Sequence, residues 1–282
     1  MPDSLVVMAA VGGLFGLLVG SFLNVVIHRL PQMMERQWAA ECAELNGQPA
    51  APQAPFNLLV PRSRCGHCGH PIRWYENIPV LSYLALRGKC SACGTPIGLR
   101  YPLVELATGL LFGWCVWRWG WSWTAAAWCL FTAMLVALTL IDWDTTVLPD
   151  ALTLPLLWAG LLAAALGWLP GLTLPHALWG AAAGYLSLWS VYQLFKLTTG
   201  KEGMGFGDFK LLAALGAWLG WQAVLPIVLI ASVIGAVVGI LMKVQGSLRE
   251  GRFVPFGPFL AGGGLAVLLV GLPTVLDWMG WA

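Results

Sequence analysis

The chain has 282 residues, 59% of them hydrophobic and 10% charged, against roughly 25% charged in an ordinary soluble domain. So few charges cannot clothe a water-soluble domain of this size, and so much apolar surface cannot stay in water as a disordered chain. The net charge of +2 is too small to suggest nucleic acid as a partner. The 17 Trp point to membrane lipid instead, because Trp gathers where bilayer meets water.

A spanning helix needs about 20 mostly apolar residues. The first such run covers 5–27. The next cover about 103–119, 123–141, 151–169, 174–195, 208–220, 222–242 and 256–272. The pattern predicts an all-α polytopic membrane protein of about eight transmembrane helices. The sixth is short, and the seam at Gly220-Trp221 is the weakest boundary. The first run is not a cleavable signal peptide: Asp3 precedes it and His28-Arg29 follow it. That charge order predicts an N-terminus outside and Arg29 in the cytoplasm. With eight spans, 14 of the 15 Lys and Arg fall on or beside the cytoplasmic segments and only Arg118 lies outside.

The one extended polar segment is 28–102. Met34, Trp38, Cys42 and Leu45 recur at helical spacing and predict a short amphipathic helix on the membrane surface. Gly47–Pro55 reads as a linker. No repeat at a fixed period is evident. The predicted division is a first transmembrane helix over 1–27, a cytoplasmic loop domain over 28–102 and a transmembrane core over 103–282.

Four of the seven Cys form two pairs within that loop: Cys65-Gly66-His67-Cys68-Gly69 and Cys90-Ser91-Ala92-Cys93-Gly94. Each Cys-x-x-Cys turn places two thiolates on one side of a metal, and the following Gly lets the backbone close around it. Cys65, Cys68, Cys90 and Cys93 together make a closed four-thiolate site that suits structural zinc. Two disulfides are the alternative, disfavoured on a reducing cytoplasmic side. His67 and His70 read as bystanders to the metal. Cys115 and Cys129 read as small apolar packing residues, and Cys42 lies outside the pattern.

Carboxylates are scarce in the spans, so those at the cytoplasmic ends stand out. Asp142 ends the run Ala137-Leu138-Thr139-Leu140-Ile141, with Asp144 and Asp150 close behind. Sixty-six residues after Asp142, Asp208 follows Gly205-Phe206-Gly207. Ionisable groups at such depth are costly and tend to be functional. Two carboxylates brought together cannot both ionise cheaply, so one can activate water while the other protonates an amide leaving group. Gly205 and Gly207 lack Cβ atoms and leave room for another backbone, such as an extended substrate. Plainer readings stand beside these. Asp150 suits a helix N-cap, Asp144 a solvated loop acid, and Asp208 a cap beside Lys210. Glu105 suits a snorkelling side chain or a partner for Arg100.

Taken together, the motifs resemble those of bacterial type IV prepilin peptidases, within the Gly-x-Gly-Asp class of aspartyl proteases. Gly205-Phe206-Gly207-Asp208 carries the signature. Gly20-Ser21-Phe22-Leu23-Asn24-Val25-Val26-Ile27-His28-Arg29-Leu30-Pro31, Glu76-Asn77-Ile78-Pro79, Arg100-Tyr101-Pro102-Leu103-Val104-Glu105, Leu148-Pro149-Asp150 and the paired Cys knuckles follow in the family's order. The resemblance implies a bifunctional enzyme of the bacterial inner membrane with its active site facing the cytoplasm. It would cut the basic leader from prepilins and type II secretion pseudopilins just after a Gly. It would then methylate the new N-terminal amine from S-adenosylmethionine. Carried over, the catalytic aspartates fall on Asp142 and Asp208, and the zinc ligands on Cys65, Cys68, Cys90 and Cys93. The methyltransferase half rests on the resemblance alone, since 28–102 holds no βαβ unit or Gly-rich nucleotide loop. A zinc-anchored membrane scaffold and a proton-coupled transporter are the competing classes. A transporter needs acids near the bilayer midplane, whereas these cluster at one face.

Overall fold

In a computed structural model, residues 2–47, 54–201, 203–246 and 254–281 are described. The chain falls into two compact units, 1–137 and 138–282. Ten α-helices and one short 3-10 helix (Trp74–Asn77) account for the helical structure among the described residues, the α-helices being α1 (Pro2–Leu45), α2 (Leu81–Ala85), α3 (Arg100–Trp119), α4 (Trp123–Thr145), α5 (Asp150–Ala165), α6 (Leu174–Thr199), α7 (Phe206–Leu219), α8 (Trp221–Val244), α9 (Gly257–Val270) and α10 (Leu272–Trp278). Each of the eight apolar runs is helical, and the uncertain seam falls at Gly220, whose φ of +85° separates α7 from α8.

Among the described residues, three helices are long and apolar enough to cross a membrane: α1, α4 and α8. The pair α9 and α10, bent by 106° at Gly271, makes a fourth if it counts as one span. The eight-span count therefore goes beyond what helix length and composition carry. The 14-residue α7 and α9 reach only about 21 Å at 1.5 Å per residue, short of a hydrocarbon core of about 30 Å.

The first unit departs from expectation at its start. The surface helix expected over Met34–Leu45 is the last part of α1, which runs unbroken through Pro31. A proline forfeits one backbone bond, yet helical order continues beyond it. Most of the expected linker, 48–53, lies outside the described residues. α1 packs along α3 through small residues on both helices. A Cβ on Gly16 would stand 2.7 Å from the Phe112 Cβ and 2.8 Å from the Thr108 carbonyl oxygen, and one on Gly20 would stand 2.7 Å from the Glu105 Cα. Small residues at such spacing let helices meet in lipid, where packing replaces the hydrophobic effect.

The polar segment is tied to the ends of these two helices. Buried Arg29 donates from its guanidinium to the carbonyls of Asn57 (2.9 Å), Leu58 (3.4 Å) and Pro61 (2.6 Å). Buried Glu105 accepts the Val80 N–H at 2.8 Å and bonds the Ser21 hydroxyl. Asn24 donates to the Tyr101 carbonyl at 3.1 Å. Arg29 of the 20–31 motif thus fastens the loop, while Ser21 and Asn24 of the same motif bond α1 to α3.

The second unit is arranged around α7, whose side chains from Asp208 to Trp218 are largely buried. It packs against α5, α6 and α9. On α6, Gly180 and Gly184 lie directly on the backbone of Gly216 and Leu212, so any Cβ there would overlap main chain. On α5, Gly160 makes room for Trp218, whose indole N–H donates to the Leu156 carbonyl at 2.8 Å. A central helix met by glycines at Gly160, Gly180 and Gly184 is fixed in depth and rotation, which places its first turn.

Candidate active site and metal centre

Asp208 sits in that first turn, three residues after the cap residue Gly205. Asp142 sits in the last turn of α4. Both are buried, at 9% and 4% exposure. They are near enough for the charge of Asp142 to act on Asp208. The backbone N–H of Gly257, at the start of α9, faces the Asp142 carboxylate, and a Cβ on Gly257 would stand 2.5 Å from Asp142 Oδ2. That Oδ2 is buried and has no hydrogen-bond partner among the described residues. A buried carboxylate oxygen without a donor costs about 1–3 kcal/mol, and a water, a shared proton or a substrate group offsets that cost. Three helix ends therefore converge here: the C-terminus of α4 and the N-termini of α7 and α9.

The remaining acids divide. Asp144 is exposed. Asp150 is not the N-cap of α5; Pro149 takes that place and Asp150 is the first helical residue. Its two carboxylate oxygens accept from Lys210 Nζ, each at 2.7 Å, and an ammonium is a stronger donor than a helix-end amide. Asp208 is not a cap either, because Gly205 is. The two glycines of the signature differ. A Cβ on Gly207 would stand 2.7 Å from the Leu148 Cβ, so this chain's own Leu148 fills that space, whereas a Cβ on Gly205 would meet nothing nearer than Asp208 Oδ2 at 4.0 Å. Sequence reasoning missed Gly257 and Leu148. The run Phe256-Gly257-Pro258 at a helix start was the available signal for the former.

The four cysteines converge as their spacing implies. The Sγ atoms of Cys65, Cys68, Cys90 and Cys93 all lie within 4.8 Å of one another, and Cys65 and Cys93 are 3.9 Å apart. Thiolates at about 2.3 Å from a tetrahedral zinc stand about 3.8 Å apart, so this donor set fits that ion. The two turns are copies. Cys65 N–H bonds the His70 carbonyl and Gly69 N–H the Cys65 carbonyl, each at 2.9 Å. Cys90 N–H bonds the Thr95 carbonyl and Gly94 N–H the Cys90 carbonyl, also at 2.9 Å. Antiparallel bridges Arg64–Pro71 and Lys89–Pro96 close them. The repeat Cys-x-x-Cys-Gly-x-Pro-Ile, at 65–72 and 90–97, was legible in the sequence and overlooked.

Glu76 joins the two turns. It accepts the Arg73 N–H at 2.8 Å, lies 3.5 Å from His70 Nε2 and bonds the Ser91 hydroxyl. The Ser91 bond, then the Arg73 N–H, holds its carboxyl below the ordinary range. His70 stands outside the ligand set, and its backbone carbonyl closes the first turn by accepting the Cys65 N–H. Cys115 is fully buried with Cys129 beside it, as packing residues are.

Two buried carboxylates meeting at helix ends in an all-helical protein are an arrangement suited to acid–base chemistry. Comparison with known proteins gives the particular family. Residues 14–119 match the bacterial peptidase A24 N-terminal domain, and residues 129–240 match the type IV leader peptidase family. A protein of Stutzerimonas stutzeri named prepilin leader peptidase/N-methyltransferase is 56% identical over 95% of this chain and 92% of its own length. Proteins of the same name from Pseudomonas aeruginosa and Aeromonas hydrophila are 57% and 54% identical, over 92% and 94% of this chain and 89% and 91% of their own lengths. The chain belongs to the type IV leader peptidase family. No solved structure matches it.

Proposed function

We propose that this protein is a membrane aspartic endopeptidase that removes the basic leader of type IV prepilins or type II secretion pseudopilins and N-methylates the residue thereby exposed. The observation that carries the peptidase half is the meeting of Asp142 and Asp208, buried, from helices far apart in the chain. Water is the nucleophile. One carboxylate takes a proton from it as its oxygen bonds the scissile carbonyl carbon. The other, protonated, gives its proton to the amide nitrogen as the C–N bond breaks. The products are a leader carboxylate and a mature N-terminal amine, and no covalent enzyme intermediate forms. The pair titrates as a unit.

Cys65, Cys68, Cys90 and Cys93 hold a structural zinc in this reading, and the ion's work is to fasten the two turns together. S-adenosylmethionine is the methyl donor by family. The described residues offer no glycine-rich βαβ cradle for it, and no step is drawn through it. The protein sits in the bacterial inner membrane with its N-terminus outside and the dyad facing the cytoplasm, an orientation supported by the placement of Lys and Arg. Residues 1–27 serve as the first membrane helix, 28–102 as the loop domain and 103–282 as the protease core. Family membership does not favour a scaffold or a transporter without peptidase activity.

The test is incubation of detergent-purified protein with a full-length prepilin and S-adenosylmethionine. A shortened, N-methylated product is expected. An uncut substrate across several lipid compositions contradicts the proposal.

A further inference from the structure

The five residues 146–150 leave the Asp142 helix and reach the start of α5, touching both sides of the site on the way. Thr146 turns the chain with φ +56°, a conformation that a β-branched residue keeps only where its surroundings over-determine it. Leu148 packs between the backbones of Gly207 and Gly257: a Cβ on either would stand 2.7 Å or 3.1 Å from its side chain. Asp150 then grips Lys210 through both oxygens at 2.7 Å. Lys210 is two residues beyond Asp208, and Asp150 eight residues beyond Asp142. Each partner of this ion pair is thus a short stretch of chain from one carboxylate.

We infer that the Asp150–Lys210 ion pair, with Leu148 wedged between Gly207 and Gly257, is a positioning device that sets Asp208 against Asp142. The inference rests on the aspartic peptidase reading above. Exposed ion pairs add little to folding stability, and here the side chains of Lys210 and Asp150 are 29% and 55% exposed. The same pair nonetheless ties the first turn of α7 to the turn that leaves α4. One ammonium held by both oxygens of Asp150 is confined to the midline of that carboxylate as well as to one distance. Proton transfer at an acid–base pair is sensitive to placement; a displacement of about 1 Å costs on the order of 10²-fold in rate. Neither Asp150 nor Lys210 needs to touch substrate for this, so the effect belongs in turnover and not in substrate binding.

The test is steady-state prepilin cleavage by the full-length protein and by Asp150→Asn, Lys210→Met, the double variant and Lys210→Arg. Each single truncation is expected to lower kcat by about 10- to 100-fold with KM within about twofold. The double variant should be no worse than either single, because the pair acts as one unit. Lys210→Arg, which keeps the charge and can still reach both carboxylate oxygens, should recover most of the activity lost in Lys210→Met. Asp150→Glu carries the same test should the truncations prevent folding: its longer arm should lower kcat and spare KM. Wild-type kcat in the single variants, additive losses in the double, or a loss confined to KM overturns the inference. Such results beside a wild type that cuts leave the peptidase reading intact. A wild type that cuts nothing overturns that reading, and the inference with it.

Discussion

The cysteine centre and the carboxylate site are held together by different forces. Each half of the cysteine centre is a turn of about eight residues closed by its own backbone bonds, and only the meeting of the halves needs outside help, from Glu76 and from the metal that the four cysteines could hold. The carboxylates have no such local frame. They lie 66 residues apart and are brought together because α7 is locked into α5, α6 and α9 by contacts that glycine alone permits. A local centre can be lost and regained by removing and returning an ion. A site made by helix packing is lost when the packing is lost.

The largest expected effect is chemical. Asp142→Asn and Asp208→Asn should each lower cleavage by about 10³-fold or more, since an amide cannot carry the proton that general acid–base catalysis moves. Both variants should keep wild-type helix content and melting behaviour in detergent. Circular dichroism beside the activity assay separates chemical loss from unfolding.

Packing comes next. Gly216→Val puts a branched side chain onto the Gly180 backbone, where main chain cannot yield. Overpacking of this kind costs about 1–3 kcal/mol or more, and thermal unfolding should reveal it together with lost cleavage. The four thiols and their metal content should remain normal in that variant. Loss of metal on Gly216→Val would show that the two sites do not stand on separate supports.

The converse perturbation should be milder for cleavage. Purified protein should carry about one zinc per chain, and Cys68→Ser or Cys93→Ser should lower that figure and expose 54–99 to limited proteolysis. A wild type free of metal with a protease-resistant loop would contradict the structural-zinc account. The helix-packed site should remain assembled, so α7 should stay as protected from hydrogen exchange as in the wild type.

The smallest effects sharpen the comparison. Asp144→Asn should change cleavage little, because Asp144 is exposed and stands outside the proposed pair. Asp208→Asn should still methylate a prepilin already cut at its mature N-terminus, since methyl transfer to an amine needs an aligned donor and not two carboxylates. Following labelled methyl transfer onto pre-cut and uncut substrate checks this.

The same contrast explains what the sequence could tell. Local chemistry was legible: the cysteine spacing foretold a four-thiol cluster, and the eight apolar runs foretold every α-helix described except the short α2 and α10, even the seam at Gly220. Interactions between distant segments were not. Nothing around Asp150 announces Lys210, and a carboxylate at the head of an apolar run looks like a cap until a cation from elsewhere claims it. Glu105 looked like a snorkelling residue because its partners, a backbone N–H at Val80 and the hydroxyl of distant Ser21, carry no local sequence mark. Gly207 looked like open space for a substrate because Leu148, which fills it, lies 59 residues upstream. The surface helix expected over Met34–Leu45 is continuous with the first span, because one backbone bond forfeited at Pro31 does not end α1.

The central claim is that Asp142 and Asp208 act as one catalytic unit. It is tested most directly by single-turnover cleavage of a prepilin with wild type, Asp142→Asn, Asp208→Asn and the double variant. Residues that share one proton-transfer task are strongly non-additive. The double variant is therefore expected to be no slower than either single, each already at the background rate. Near-normal cleavage by either single variant, or a double variant slower than both by the product of their separate losses, would contradict the account.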